Sequence, residues 1–240
     1  MKNGTLSLTG TSSAIRWTDA SGSETITCSL ARECPFTIIA NDQKIVTLFS
    51  SPLSLKELTI GYLFTSGFIR SASQVHDWQY DPVVYKATMM VTPSSDAQNA
   101  IPDSSMSLDA SVVRTASRWI AECSIVFRES GGVHAAGLYD PRNGPLFFYE
   151  DVARHNAVDK VIGKALMDEL NLNQVILVRT GRTSLEIAEK AHAAGILILI
   201  ARGAPTLQAL EFAQRVGITL LGFARTDEFT VYTHPQRLRL

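Results

Sequence analysis

The sequence predicts an α/β protein in two parts: a small β-rich N-terminal unit with one helix, and a larger C-terminal unit in which helices alternate with short strands. Three observations predict it. From Glu24 to Phe49, apolar and polar residues alternate with the period of half-buried strands. From Leu108 onward, short apolar runs are separated by segments with helical spacing. Between these regions, Thr92 to Ser107 is rich in Pro, Ser, Asp, Gln and Asn, the composition of a linker. The expected domains are therefore 1–107, with the linker near 92–107, and 108–240.

Residues 1–23 are rich in Ser, Thr and Gly without sustained periodicity, which predicts a weakly ordered start. Thr25 to Leu30, Phe36 to Ala40 and Lys44 to Phe49 read as strands of a hairpin or meander, with Asn41-Asp42 as a turn pair. Ser54-Leu55-Lys56-Glu57 has the form of a capping box. The helix it opens runs through Leu58, Ile60, Tyr62, Leu63 and Phe64 and stops near Gly67. Val83 to Val91 reads as a further strand.

In the second half a helix is expected from Leu108 to Arg128, then Gly131-Gly132 and a strand from Val133 to Tyr139. Asn143-Gly144 is a hairpin turn into Leu146 to Tyr149. A helix from Asn156 to Leu170 and a strand from Gln174 to Arg179 follow. Thr183-Ser184-Leu185-Glu186 is a second capping box, opening a helix that Gly195 ends. The strand Ile196 to Ala201 precedes a helix entered at Pro205 and closed by Gly217. Ile218 to Phe223 and Thr230 to Thr233 are the last strands. This alternation implies a mostly parallel sheet with helices on its faces.

With 240 residues, 45% hydrophobic and 19% charged, the chain has ample material for a core. A net charge of −1 gives no general footprint for nucleic acid, and none is expected as a partner. Met1 to Gly10 lacks an apolar h-region, and the longest apolar run, Gly195 to Ala201, is too short to span a bilayer. A cytoplasmic location without membrane association is expected. Cys28, Cys34 and Cys123 are an odd count with no CxxC and no zinc-ligand spacing, so neither a disulfide framework nor a metal site is expected. Cys34, beside Phe36, Ile38 and Ile39, reads as a small buried hydrophobe, and Cys123 as core packing within a helix.

Chemistry concentrates between Glu150 and Lys160. This stretch holds Glu150, Asp151, Arg154, His155, Asn156, Asp159 and Lys160, more polar groups than a helix start needs. A solvated helix start with internal salt bridges is the plain alternative. Three more polar turns follow apolar runs: Arg179 to Ser184, Ala201 to Thr206, and Gly222 to Glu228. Each of the four segments carries an Arg, and the last three carry Gly. Loops at the carboxyl ends of strands, leading into helix N-termini, bind anions through free N–H groups, and Arg adds bidentate phosphate recognition. A phosphorylated small molecule is the ligand class this favours. No Walker A loop and no GxGxxG after a strand are present, which disfavours ordinary NTP or NAD binding. His134, following Ser130-Gly131-Gly132, could face a ligand or be a structural histidine, and no Ser/His/Asp nucleophile arrangement is legible.

With these loops identified, the chain resembles the FdhD/NarQ family of formate dehydrogenase accessory proteins. The matching text is Phe127-Arg128-Glu129-Ser130-Gly131-Gly132-Val133-His134-Ala135-Ala136, then Glu150 through Gly163 with its Arg154-His155-Asn156-Ala157-Val158-Asp159-Lys160 core. Gly181 to Glu186, Ala204-Pro205-Thr206, Gly222-Phe223-Ala224-Arg225 and Val231-Tyr232-Thr233 continue it, with a weaker match from Pro52 to Ile69. The resemblance implies a small N-terminal α/β domain followed by a cytidine-deaminase-like three-layer core without the deaminase zinc signature. It implies sulfur transfer from a cysteine desulfurase to the bis-molybdopterin guanine dinucleotide cofactor of the formate dehydrogenase catalytic subunit, with GDP-like nucleotides as surrogate ligands. It places cofactor contacts on Phe223, Ala224, Arg225, Thr226, Asp227 and Glu228, and next on His134, Arg154, His155 and Arg182. A cofactor this large is compatible with a homodimer gripping it.

One departure matters. The family carries a CxxC-type loop after the strand corresponding to Val83 to Val91, where this chain has Thr92-Pro93-Ser94-Ser95-Asp96-Ala97. A persulfide needs a thiolate, which Ser cannot supply. Cys123 is the nearest remaining thiol in sequence and the weak candidate for that role. Three readings follow: a sulfurtransferase, the first reading because the resemblance implies it; a non-catalytic module that binds or delivers the cofactor, as the alternative; and an unrelated nucleotide-processing enzyme using His134 with Glu150 or Asp151.

Overall fold

The computed structural model describes residues 7–92 and 106–239. Most of the expected linker, and Pro93 to Ala97 within it, lies outside them.

The chain start is a correction to the expected weak order. β1 (Thr9–Thr18) and β2 (Gly22–Ala31) pair antiparallel as a two-stranded ribbon. β2 contains the strand expected at Thr25 to Leu30, whereas β1 went unread because its residues, Ile15 and Trp17 included, are largely exposed and show no alternation with a core face. β3 (Cys34–Ala40) and β4 (Gln43–Ser50) form the expected hairpin. Its turn residues Asn41 and Asp42 have φ of 50° and 61°, the paired left-handed geometry of a hairpin turn. Helix α1 (Leu55–Thr65) crosses over this unit, with Gly67 just past its end at φ +82°. β5 (Val75–Asp81) and β6 (Lys86–Val91) complete a four-stranded sheet of order β4-β3-β6-β5. The strand expected from Val83 thus starts at Lys86, because Val83 and Val84 are exposed in the β5–β6 turn. β5 went unread because its polar text and a register shift between His76 and Gln79 hide its period.

The Ser54 capping box does not form. Ser54 sits in the left-handed region, φ 57° and ψ 41°, and caps nothing with its side chain; capping requires an extended residue there. Glu57 instead accepts a hydrogen bond from the Tyr149 hydroxyl at 3.3 Å.

The second half begins with β7 (Leu108–Asp109), α2 (Ala110–Cys123) and α3 (Ile125–Ser130). The single expected helix is broken at Ser124, whose hydroxyl turns back onto the Ile120 carbonyl. β8 (His134–Asp140), β9 (Gly144–Asp151), α4 (Arg154–Met167), β10 (Ile176–Arg179), α5 (Leu185–Ala193) and β11 (Ile198–Ala201) follow. α6 (Leu207–Val216), β12 (Thr219–Gly222), β13 (Thr230–Val231) and β14 (Leu238–Arg239) end the described chain. The main sheet has six strands in the order β13-β12-β11-β10-β8-β9.

It is a mixed sheet rather than the mostly parallel one expected. β10–β11 and β11–β12 are parallel, whereas β8 runs against both β9 and β10, and β13 runs against β12. The tight Asp140–Gly144 turn forces β8 and β9 antiparallel, and apolar periodicity reports burial without strand direction. Leu177, Leu199 and Leu220 join the core beneath α4, α5 and α6, while Ile176, Val178, Ile198, Ile200 and Leu221 join the core beneath α2. The architecture is therefore three layers, helix on sheet on helix.

The two units meet where α1 crosses α4. A Cβ on Gly61 would fall well inside contact with the Asp159 carbonyl, and one on Gly163 would meet the Glu57 carbonyl. The helices therefore touch backbone to backbone, which only glycine permits. Among the described residues no helix is long and apolar enough to cross a membrane.

Candidate functional site

The polar stretch at the start of α4 separates into distinct jobs. Glu150, at the end of β9, accepts from the Val126 and Phe127 N–H groups at 3.3 and 3.1 Å and so caps α3. Asp151 is fully buried and pairs with buried Lys160 at 2.6 Å. Its carboxylate also accepts from Ser51 N (3.1 Å), Ala153 N (2.9 Å) and Asn156 Nδ2 (3.1 Å). Asn156 in turn donates to the Phe49 carbonyl at 2.8 Å. These groups tie the end of β4 to the start of α4. A second buried pair, Asp159 with Lys190 at 2.9 Å, ties α4 to α5, and Thr65 of α1 donates to Asp159 at 2.8 Å. Burial pushes the Asp159 carboxyl up, against the pull of Lys190 and Thr65. Glu150 and Asp151 are consequently occupied in structure, which removes the acid/base partners that the nucleotide-processing reading requires.

What these pairs position is the amino end of α4. Its N-cap, Ala153, offers no side-chain cap, and Arg154 and His155 open the helix. Opposite it, Arg179 ends β10 at 1% exposure. Arg179 Nη1 donates to the Arg182 carbonyl at 2.7 Å and to Thr183 Oγ1 at 3.1 Å, but its Nε and Nη2 are buried without a partner. Arg154 Nε is likewise buried and unpartnered. No ion pair among the described residues includes Arg154, Arg179 or Arg182. Gly181 lies between these groups: a Cβ there would stand 3.2 Å from His134 Nδ1, 3.3 Å from Arg179 Nη2 and 3.5 Å from Arg154 Cβ.

The electrostatics agree. Burial pushes the Arg179 guanidinium down to about 9, with Arg154 adding repulsion. Burial, together with Arg179, Arg154 and Arg182, holds His134 below its ordinary value. His155 is pushed down to about 4 by burial, Glu186 opposing and Arg154 assisting. Its Nε2 lies 3.2 Å from Ser184 Oγ and 3.4 Å from Glu186. The second capping box does not form: Thr183, its expected cap, lies one residue before the observed N-cap and its hydroxyl accepts from Arg179, while Ser184 at that N-cap lies against His155 and makes no side-chain cap on α5.

The remaining loops stack beside this one. The Arg202 N–H donates to the Arg179 carbonyl at 3.1 Å, and Thr183 forms a bridge with Pro205. Gly203 packs against Gly181 and Arg182, where a Cβ would stand 2.8 Å from the Arg182 nitrogen. The Phe223 N–H donates to the Gly203 carbonyl at 3.4 Å, and Arg225 Nη1 donates to the Arg202 and Ala224 carbonyls at 2.7 and 3.1 Å. Phe223 is 46% exposed with φ +50°, a strained conformation for a bulky residue.

The site residues expected from the sequence are thus brought together at one end of the sheet, in unequal roles. Arg182, Thr226, Asp227 and Glu228 are exposed, and His134, Arg154 and His155 are half-buried. The methyl of Ala224 packs in the core and its carbonyl accepts from Ser117 Oγ, while Arg225 is spent on holding the loop. Arg179 was missing from the expected set. Its signal was an Arg closing the otherwise apolar run Ile176-Leu177-Val178.

All three cysteines are free. Cys34 is buried, donates to the Ser50 carbonyl at 3.4 Å, and has its thiol pushed up by burial. Cys123 is half-buried and donates to the Ile120 carbonyl at 3.6 Å, its thiol pushed up to about 11 by burial, with Glu150 adding to the rise. Cys28 is half-buried on the ribbon.

Comparison with known proteins matches the profile of the FdhD/NarQ family over residues 31–100 and 84–239. The chain is 33% identical over 240 residues to a sulfur carrier protein FdhD of Bacillus pumilus, covering 88% of this chain and 91% of that one. It is 33% identical over 211 residues to a sulfur carrier protein FdhD of Saccharolobus solfataricus, covering 80% and 82%. A crystal structure of a formate dehydrogenase accessory protein from Desulfotalea psychrophila superposes with a TM-score of 0.85 at 27% identity, covering 97% of this chain and 100% of that one.

Proposed function

The chain belongs to the FdhD/NarQ family, and from that premise we propose that it serves formate dehydrogenase maturation by gripping the bis-molybdopterin guanine dinucleotide cofactor. One observation carries this reading: four Arg-bearing segments converge at one sheet end, hydrogen-bonded to one another, around a buried guanidinium that lacks a counter-charge. A polyanionic cargo is the chemistry such a surface favours. Arg182 and Arg154 supply charge beside the amino end of α4, where free N–H groups favour phosphate. The exposed Phe223 ring offers a face for a base. The three-layer core is the one that a cytidine-deaminase-like scaffold would provide.

The formate dehydrogenase catalytic subunit is the client under this reading. Sulfur carriage, the role in its relatives' name, here with a cysteine desulfurase as the donor, is the second reading and needs a thiolate. Burial holds Cys34 and Cys123 in the thiol form, and the family's cysteine loop is absent from the sequence. That combination favours a chain that binds and presents cofactor without carrying sulfur on its own cysteine. Two copies facing each other would suit a cofactor with two guanine arms.

Titration calorimetry with GDP as surrogate tests the grip. Wild type is expected to bind, and Phe223→Ala and Arg182→Ala each to bind at least about fivefold more weakly, the loss of roughly 1 kcal/mol for a stacked base or an exposed charge. GDP affinity unchanged in both variants would remove these loops from the site.

A further inference from the structure

Buried guanidinium groups are ordinarily matched by carboxylates, because desolvating an isolated charge is expensive. Arg179 is 1% exposed and has none: two of its N–H-bearing atoms, Nε and Nη2, face no acceptor. Arg154 Nε shares that condition. Arg179 Nη2 and His134 Nδ1 border Gly181, as does the Arg154 Cβ, and the uncapped amino end of the 14-residue helix α4 begins at Arg154 itself. The nearby carboxylates are committed elsewhere, Asp151 to Lys160, Asp159 to Lys190, Glu150 to α3, and Glu186 to His155 and Lys190.

We propose that Arg179, Arg154, His134 and the amino end of α4 form a discrete internal oxyanion site beside Gly181. The guanidinium of Arg179 supplies two N–H donors from buried positions and Arg154 a third. Gly181 keeps a side chain out of the gap between Arg179 and His134, where a methyl would already stand 3.2–3.3 Å from both. His134 completes the wall; burial and the three neighbouring arginines hold it below its ordinary value, and its ring Nδ1 faces Gly181. This site is separate from the exposed Phe223 ring. It rests on the cofactor reading only for one of two sources of the group: a phosphoryl group on a nucleotide, or a free inorganic oxyanion.

Thermal unfolding and calorimetry of the full chain with inorganic phosphate, pyrophosphate, guanosine and GDP separate these sources. Two variants accompany wild type. Arg179→Met removes the charge, and Gly181→Ala crowds the gap between Arg179 and His134 while keeping every charge; its backbone is outside the left-handed region, so alanine requires only shifts of a few tenths of an ångström. Inorganic phosphate or pyrophosphate at 100 times its dissociation constant is expected to raise the wild-type Tm by about 5–10 °C. At least a tenfold loss of affinity is expected in both variants. A response to GDP but to neither inorganic ion nor guanosine, lost in both variants, supports the site with a nucleotide phosphoryl as its occupant. Equal binding of GDP and guanosine, with no inorganic response, would overturn the site while leaving guanine recognition intact. An anion response that survives in a folded Gly181→Ala protein would also overturn it.

Discussion

Replacing Lys160 by Met tests whether the buried pairs are what set the amino end of α4. Lys160 is 1% exposed and its ammonium stands 2.6 Å from Asp151, which is 0% exposed. Methionine keeps the length and apolar stem but removes the counter-charge, leaving a carboxylate buried on its three N–H donors, Ser51 N, Ala153 N and Asn156 Nδ2. Breaking one side of a buried pair costs about 3–5 kcal/mol. For a chain of this length that corresponds to a fall in Tm of about 6–20 °C. Asp151→Asn, which leaves the ammonium unmatched, should cost a similar amount. The double variant carries no buried charge and should cost less than the sum by at least about 2 kcal/mol. Urea unfolding of all four proteins, followed by circular dichroism at constant m-value, gives the cycle. Additive losses, or a Lys160→Met loss below about 1 kcal/mol, would refute the claim that this pair ties β4 to α4.

Other consequences follow from the same geometry. Gly61→Ala and Gly163→Ala each push a methyl into a helix backbone, and each should destabilise by about 3 kcal/mol or more, seen as a lower urea midpoint; a loss under about 1 kcal/mol would mean the helices can part freely. His155 has a folded value of about 4 against roughly 6.5 unfolded. The unfolded chain therefore takes up the proton first, and the associated stability is present above pH 6.5 and lost as pH falls toward 4. Allowing for its partial exposure, wild type should lose about 1–3 kcal/mol more than His155→Gln between pH 7 and 4.5, and parallel pH profiles would contradict this. Phe223→Gly should raise stability by up to about 1 kcal/mol, by relieving the left-handed strain, while weakening GDP binding. Loss of both together would show that the loop, rather than the ring, needs Phe223.

The half-buried and apolar-periodic parts of this fold were readable from sequence, and the parts without a buried face were not. The β3–β4 hairpin announced itself through alternation and Asn41-Asp42, and α6 through Pro205 and Gly217. In the β1–β2 ribbon, β2 was read at Thr25 to Leu30, but β1 is largely exposed and left no pattern. Both capping boxes misled for local reasons, Ser54 through a left-handed backbone and Thr183 because its hydroxyl accepts from Arg179 and the helix starts one residue later. In the site, the Arg-bearing loops were legible because Arg and Gly at strand ends are chemically unusual. What each polar group does was not: Asp151, Asp159 and Lys160 are structural because of partners far away in sequence, such as Ser51, Thr65 and Lys190. Arg179 looked like one more loop arginine until burial without a counter-charge set it apart.

The most direct test of the central claim is persulfide mapping by thiol tagging and peptide mass spectrometry, after incubation with a cysteine desulfurase and cysteine. A cofactor-gripping chain that carries no sulfur on its own cysteines predicts no persulfide on Cys28, Cys34 or Cys123, with GDP binding intact in the same sample. A persulfide on any of the three, lost together with formate dehydrogenase activation in the matching Ala variant, would contradict it and restore a sulfur relay through that residue.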